Sequence, residues 1–192
     1  MVVIGLTGPT GAGKTVVAHF MEFPCVNADE VTRKVHKNKE VLKQLCQTFG
    51  EDIVCGGVLN RVILANRAFS SKENTLALNA IMHPAITLEI ERQLQELEQQ
   101  GNTHCLLDAP LLFEADCASL CHTTVGVLAP SSVRKNRIIG RDSIPEEMAL
   151  KRMNAQPDDQ YYIHHCDHII YNNGDISQLQ KDVEALKEKL IK

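Results

Sequence analysis

The chain has 192 residues, 44% of them hydrophobic, and a formal net charge of −4 with histidine neutral. That length suits one large domain with a sizeable core. The charge argues against the global basic field of a nucleic-acid binder, and no apolar run reaches the roughly 18 residues of a membrane-spanning helix. Seven cysteines at positions 25, 46, 55, 105, 117, 121 and 166, without a CxxC pair, predict reduced, mostly buried thiols in a cytoplasmic protein.

The first β-branched run, Val2–Thr7, is too short and lacks the basic lead of a signal peptide, so it reads as a strand. Gly8-Pro-Thr-Gly11-Ala12-Gly13-Lys14-Thr15 follows, with helical spacing at Val16, Val17 and Phe20. The pattern G-x-x-x-x-G-K-[ST] between a strand and a helix predicts a phosphate loop. Its glycines let backbone N–H groups turn toward phosphate oxygens, and the helix N-terminus adds partial positive charge. Lys14 then reaches the β- and γ-phosphates, and the Thr15 hydroxyl ligates Mg²⁺. The loop alone leaves GTPase, ATPase and kinase open.

Residues 24–27 form a second short strand, and Asn27-Ala28-Asp29 follows it. In an open parallel sheet this places Asp29 at the carboxyl edge, where it accepts a proton from an attacking hydroxyl or simply caps the next helix. A long insert, residues 31–100, then reads as helical. Pro84 suits a first helical turn, Ile86, Ile90, Leu94 and Leu97 share the next helix's apolar side, and Gly101 suits its end.

Residues 103–107 make a third strand, running into Asp108-Ala-Pro-Leu-Leu-Phe-Glu114. Asp108 at a strand end helps hold Mg²⁺, directly or through water, or caps a turn; Glu114 is either acidic partner or solvated. Thr123–Leu128 is the fourth strand. Residues 131–162 form a basic insert in which Ser143-Ile-Pro-Glu146 has capping-box spacing, with Pro145 in the first turn. Arg137 and Arg141 are four apart on a predicted helix and share a face, so a mobile lid brings two cations over a triphosphate. Lys135, Lys151 and Arg152 read as a solvated face. His164-His165-Cys166-Asp167-His168, entering a strand at 167–171, alternates its side chains and does not converge on a metal ion. Ile176, Leu179, Val183, Leu186 and Leu190 form the stripe of a final helix.

Strands alternating with helices predict an α/β three-layer sandwich with a five-stranded parallel sheet, the P-loop NTPase arrangement. Its core is residues 1–30, 101–130 and 163–192, with a helical acceptor-binding insert at 31–100 and a lid at 131–162.

GLTGPTGAGKT, NADEVTRKV, LNRVILANRAF, LNAIMHPAI, DAPLLFE, the Arg137–Arg141 spacing, RMNAQ and CDHIIYNNG occur in that order, and together they resemble the dephospho-CoA kinase family. The resemblance implies ATP-dependent phosphorylation of the ribose 3′-hydroxyl of dephospho-CoA, with Mg²⁺. It implies Asp29 as base, Arg61 as an anion or transition-state contact, and His83 and Asp108 on the acceptor side. Arg141 closes with the lid, Arg137 contacts ATP and Asn172 lies near the adenine. The sequence departs from the family where Asn27 replaces an Asp, where Pro9-Thr10 replaces Gly-Ile, and where Val133-Arg134 stands in the neighbourhood of a usual Gln. Another nucleotide or nucleoside kinase, or a nucleotide-binding switch without acceptor chemistry, is the competing reading. The expected state is a monomer or weak homo-oligomer with a small-molecule substrate, and no nucleic-acid or membrane partner.

Overall fold

The computed structural model describes residues 1–191. By their contacts the described residues divide into two units, residues 1–26 with 97–191, and residues 27–96. No described helix is long and apolar enough to cross a membrane.

The larger unit is built on a five-stranded parallel sheet of β1 (Val2–Thr7), β2 (Cys25–Asn27), β5 (His104–Asp108), β6 (Thr123–Leu128) and β7 (His168–Tyr171), in spatial order β2-β5-β1-β6-β7. The central strands β1, β5 and β6 are almost wholly buried. Covered on both faces, they read as continuous apolar runs rather than alternating ones. On one face, α1 (Lys14–Met21) and α9 (Ile176–Leu190) enclose a core with Ile4, Leu6, Val17, Met21, Leu106, Val125, Val127, Leu179, Val183 and Leu186. Burial of each large aliphatic side chain contributes roughly 1.5–3 kcal/mol. On the other face Gly5 lies against Leu112 and Cys121, and Gly126 against Cys166 and Ile169; a Cβ at either glycine would stand under 3.0 Å from these atoms. Glycine at these two strand positions therefore sets how closely the second layer approaches.

The stripe expected on α9 is present except at its start. Ile176 is 55% exposed, because Asp175 caps the helix there, accepting from the N–H groups of Ser177 and Gln178, and the first turn lies beyond the sheet-facing side chains.

The expected helix start at residues 143–146 is displaced. Ser143 ends α6 (Ser131–Asp142) in a left-handed conformation, and α7 (Glu146–Asn154) begins after Pro145, whose carbonyl accepts from Met148 and Ala149. A serine committed to ending one helix cannot also cap the next. α8 (Asp159–His165) follows, so His164 and His165 are helical rather than extended, their Nδ1 atoms against the Gln160 and Tyr161 carbonyls.

The smaller unit holds α2 (Ala28–Val35), α3 (Lys39–Phe49), a two-stranded ribbon of β3 (Val54–Cys55) and β4 (Val58–Leu59), α4 (Arg61–Ala68) and most of α5 (Lys72–Gln99). The ribbon departs from an all-helical insert. Its Gly56-Gly57 turn has φ of +59° and +79°, the two positive values a tight hairpin requires. Pro84, expected at a helix start, instead lies inside α5. Ser71 caps the helix start, its hydroxyl accepting from the Asn74 N–H, and Met82, 5% exposed, anchors the turn before the proline. These contacts outweigh the bond that Pro84 cannot donate, a loss of about 3 kcal/mol in an unsupported helix. Ile90 and Leu94 are buried, with Ile86 and Leu97 half-buried. Glu89 joins α2 to α5, accepting from Lys34 at 2.6 Å and Arg92 at 2.7 Å, which holds its carboxyl well below the usual range.

No disulfide joins the seven cysteines. Cys25 and Cys55 are exposed, contrary to the expectation of mostly buried thiols, because both lie on short outer strands. Burial pushes the Cys105 thiol up to about 11 and the Cys121 and Cys166 thiols up to about 12.

Candidate active site

β1 runs out at Thr7, and the chain turns at Gly8 with φ of +141°. Residues 9–12 form a tight turn closed by the Ala12 N–H donating to the Pro9 carbonyl at 3.1 Å, with Gly11 at φ +78°. A positive φ at the third residue of such a turn is what glycine supplies without strain. Gly13, φ +96°, begins α1, its carbonyl accepting from Val16 and Val17. Lys14 folds back along the loop, its Nζ donating to the Gly8 carbonyl at 3.1 Å, and Thr15 is exposed on the first turn.

The loop's outward carbonyls are held by side chains distant in sequence. Arg137 donates to the carbonyls of Gly11 at 3.2 Å and Ala12 at 3.3 Å. Asn172, 4% exposed, donates from Nδ2 to the Ala12 carbonyl at 2.8 Å and accepts from Arg137 at 3.0 Å. Carbonyls engaged by these donors have their negative ends neutralised, which favours the N–H polarity an anion nest needs. Asn172 and Arg137 thus brace the loop, and both ends of the Asn172 amide bond to protein groups.

Arg141 does not share Arg137's surroundings. It is 63% exposed and forms a two-point pair with Asp142, at 2.7 and 3.0 Å, and Arg152 binds the same carboxylate at 2.5 Å. The expected common face therefore resolves into one arginine on the loop and one at solvent. Arg141, then Arg152, hold the Asp142 carboxyl below its ordinary value. With such exposure the pair contributes little to stability.

Sequence reasoning missed two neighbours of the loop. Arg134 is buried; its guanidinium lies 3.4 Å from both the Ser131 hydroxyl and Asp159, and its backbone packs so closely on Gly11 that a Cβ there would stand 2.7 Å from the Arg134 carbonyl oxygen. The other is Gln156, whose side-chain carbonyl accepts the Thr10 N–H at 2.7 Å. The RMNAQ motif was the available signal, although it carried no chemistry by itself.

Asp108 ends β5 in register with Leu6 of β1, half-buried. The Ala109 N–H donates to the Leu6 carbonyl at 3.0 Å and the Thr7 hydroxyl to the Pro110 carbonyl at 3.3 Å, tying this segment to the strand that feeds the loop. Glu114 is exposed beside Tyr161, whose hydroxyl is raised by burial and by that carboxylate. For Mg²⁺ the fitting donors are the Thr15 hydroxyl and the Asp108 carboxylate. Both are hard oxygen ligands, and this ion takes few protein groups alongside water and nucleotide phosphates.

In residues 27–96, Asn27 is the cap of α2, its side-chain oxygen accepting from the Glu30 N–H at 3.0 Å. Asp29 is therefore not the capping group; it sits in the first turn with its side chain exposed. Arg61 is the first residue of α4, exposed, behind a cap made by Asn60 to Val62 and Ile63. A cation at a helix N-terminus opposes the helix dipole, so its placement favours an anion nearby. His83 is half-buried in the middle of α5.

His36, at the end of α2, has a buried Nδ1 without a hydrogen-bond partner. Burial first, and the charge of Arg61 second, hold its imidazole below the ordinary 6.5. A folded value below the unfolded one means the neutral form is favoured by folding, so stability is present above about pH 6.5 and is lost as pH falls through the folded value. We expect wild-type protein to lose thermal stability between pH 7 and pH 5 relative to a His36→Leu variant, as measured by melting midpoints; a constant difference across that window would refute this.

The family model for dephospho-CoA kinase matches residues 2–178. Dephospho-CoA kinase of Syntrophotalea carbinolica is 35% identical over 196 residues, covering 100% of this chain and 93% of the relative. The Saccharomyces cerevisiae dephospho-CoA kinase is 32% identical over 200 residues, covering 99% and 83%. Among solved structures, TT1252 from Thermus thermophilus superimposes with a TM-score of 0.84 at 31% identity, covering 98% of this chain and 97% of that one. Dephospho-CoA kinase from Campylobacter jejuni, at a TM-score of 0.61 and 22% identity over 98% and 96%, shares the fold. With a family model spanning nearly its whole length and full-length relatives above 30% identity, the chain belongs to the dephospho-CoA kinase family.

Proposed function

We infer that this chain transfers the γ-phosphoryl group of ATP to the ribose 3′-hydroxyl of dephospho-CoA, giving coenzyme A and ADP. The observation that carries the reading beyond family membership is the loop itself. Its Gly11 and Ala12 carbonyls are bonded by Arg137 and Asn172, and Lys14 and Thr15 follow on the first turn of α1.

The N–H groups of Gly11 and Gly13 and the α1 N-terminus receive the phosphates, and Lys14 leaves the Gly8 carbonyl for the β- and γ-phosphate oxygens. Thr15 and Asp108 would hold Mg²⁺, the latter directly or through water, and the ion would supply charge neutralisation on the phosphates. Asp29 takes the proton of the attacking hydroxyl, and Arg61 and Arg141 meet the charge on the transferring group and the acceptor. His83 lines the acceptor side. Phosphoryl transfer asks little covalent chemistry of the protein, so positioning and electrostatics dominate. In this assignment Arg137 and Asn172 act by supporting the loop, with Asn172 flanking the adenine through its main chain.

Residues 31–100 act as the acceptor-binding insert and residues 131–162 as the lid. Arg141 exchanges the Asp142 carboxylate for phosphate when the lid closes, which excludes competing water. The enzyme works in the cytoplasm as a monomer or weak homo-oligomer without nucleic acid.

A coupled ADP-release assay tests the reading. Release is expected to depend on dephospho-CoA and to exceed that with AMP or a nucleoside by at least about 100-fold, a margin within reach of a site that pairs polar substrate groups. Preference for AMP would point to a nucleotide kinase, and ATP binding without transfer to any acceptor would point to a switch.

A further inference from the structure

Gln156 has no part in the chemistry assigned above. It lies between α7 and α8, half-buried, and bonds the Thr10 N–H at 2.7 Å across 146 positions of sequence. The other side of the same peptide group is also held, because the Pro9 carbonyl accepts the Ala12 N–H at 3.1 Å. Secured at its N–H and at its C=O, the Pro9–Thr10 peptide cannot rotate without losing a bond on each side. Next to it Arg137 bonds the Gly11 carbonyl and the Arg134 backbone packs on Gly11, so Gln156 acts on the Pro9–Thr10 peptide in particular. Proline brings no N–H, and Gly11 carries no Cβ to resist a change of backbone angle. Rotation of the peptide would break both bonds and turn the Pro9 carbonyl oxygen toward the Gln156 side-chain oxygen, two acceptors that repel, so this arm would lose its shape.

We propose that Gln156 is a positioning residue for nucleotide binding, holding the Pro9–Thr10 peptide in the orientation that keeps the loop in its anion-binding shape. This rests on the phosphate-loop part of the proposed function. The same bond ties the α7–α8 junction to the loop, so the base of the proposed lid is anchored at the nucleotide site while the exposed Arg141 end of α6 is not.

The test uses the full chain. Gln156→Met keeps the side-chain length and removes the oxygen acceptor. Calorimetric Kd for Mg-ATP is expected to rise about tenfold, the effect of one well-placed hydrogen bond, with KM for ATP rising in step. kcat and KM for the acceptor should change less than about threefold, and the melting midpoint by less than about 2 °C, a shift smaller than 1 kcal/mol produces. The Thr10 amide proton should move upfield in a ¹⁵N–¹H spectrum, and Gln156→Glu, which retains an acceptor, should leave it near its wild-type position. An unchanged ATP Kd with an unmoved Thr10 resonance would overturn the proposal. So would a loss of ATP affinity that merely tracks a lowered melting midpoint. In the wild type without nucleotide, rapid hydrogen exchange at Thr10 would overturn it whatever the variants do. ATP binding is measured without an acceptor, so failure to phosphorylate dephospho-CoA counts against the proposed reaction and leaves this result to be judged on its own.

Discussion

Asp29→Asn is expected to lower kcat by about 10²–10⁴-fold, the range for loss of a positioned general base, while KM for ATP changes less than about threefold. The asymmetry follows from what Asp29 does not do. Asn27 supplies the cap of α2 by bonding the Glu30 N–H, so the helix start does not depend on the Asp29 carboxylate. Asp29 is exposed, and the amide is nearly isosteric with the carboxylate, so the fold and the melting midpoint should be preserved. Removing the proton acceptor then affects only the step in which the hydroxyl attacks, leaving the loop's hold on nucleotide intact. Steady-state kinetics with both substrates varied will separate these quantities. Turnover within a few-fold of wild type would mean that Asp29 is not the base, and that substrate hydroxyl or solvent loses its proton without help from this residue.

Gly8→Ala is expected to destabilise the fold by on the order of 3 kcal/mol or more, among the large single-site effects. Gly8 has φ of +141°, and a Cβ built on it would stand 2.3 Å from the Val127 carbonyl oxygen and 3.1 Å from the Val127 nitrogen. Both are backbone atoms of β6, fixed by the strand ladder, so no rotamer change relieves the clash. Gly140→Ala is the matching control. Gly140 lies in α6 with nothing within 4 Å of an added Cβ and no positive φ, so alanine should stabilise that helix by about 0.5–1 kcal/mol. Urea midpoints for the two variants should shift in opposite directions, and a Gly8→Ala protein as stable as wild type would refute the close approach of loop and β6.

Much of the scaffold was legible because its causes are local. The runs at Val2–Thr7 and Thr123–Leu128 coincide with β1 and β6, since β-branched residues bounded by turn signals have few other options. Where local signals conflicted, packing decided. Pro84 favours a helix start, yet Ser71 and Met82 carry α5 through it. Ser143 offers a capping box, yet it is consumed in ending α6. Two adjacent glycines, Gly56-Gly57, signal a hairpin, yet the helical period of the surrounding segment masks it.

The sequence by itself determined the phosphate loop, the alternation of strands and helices, and the family, because each depends on residue types at close spacing and in a fixed order. The tertiary structure alone decided what braces the loop. Arg137, Gln156 and Asn172 reach it from 126, 146 and 160 positions away, and no periodicity foretells such contacts. Only the parallel sheet, by bringing the ends of β1, β6 and β7 side by side, puts those donors and acceptors within reach of the carbonyls and the N–H that the loop cannot satisfy itself.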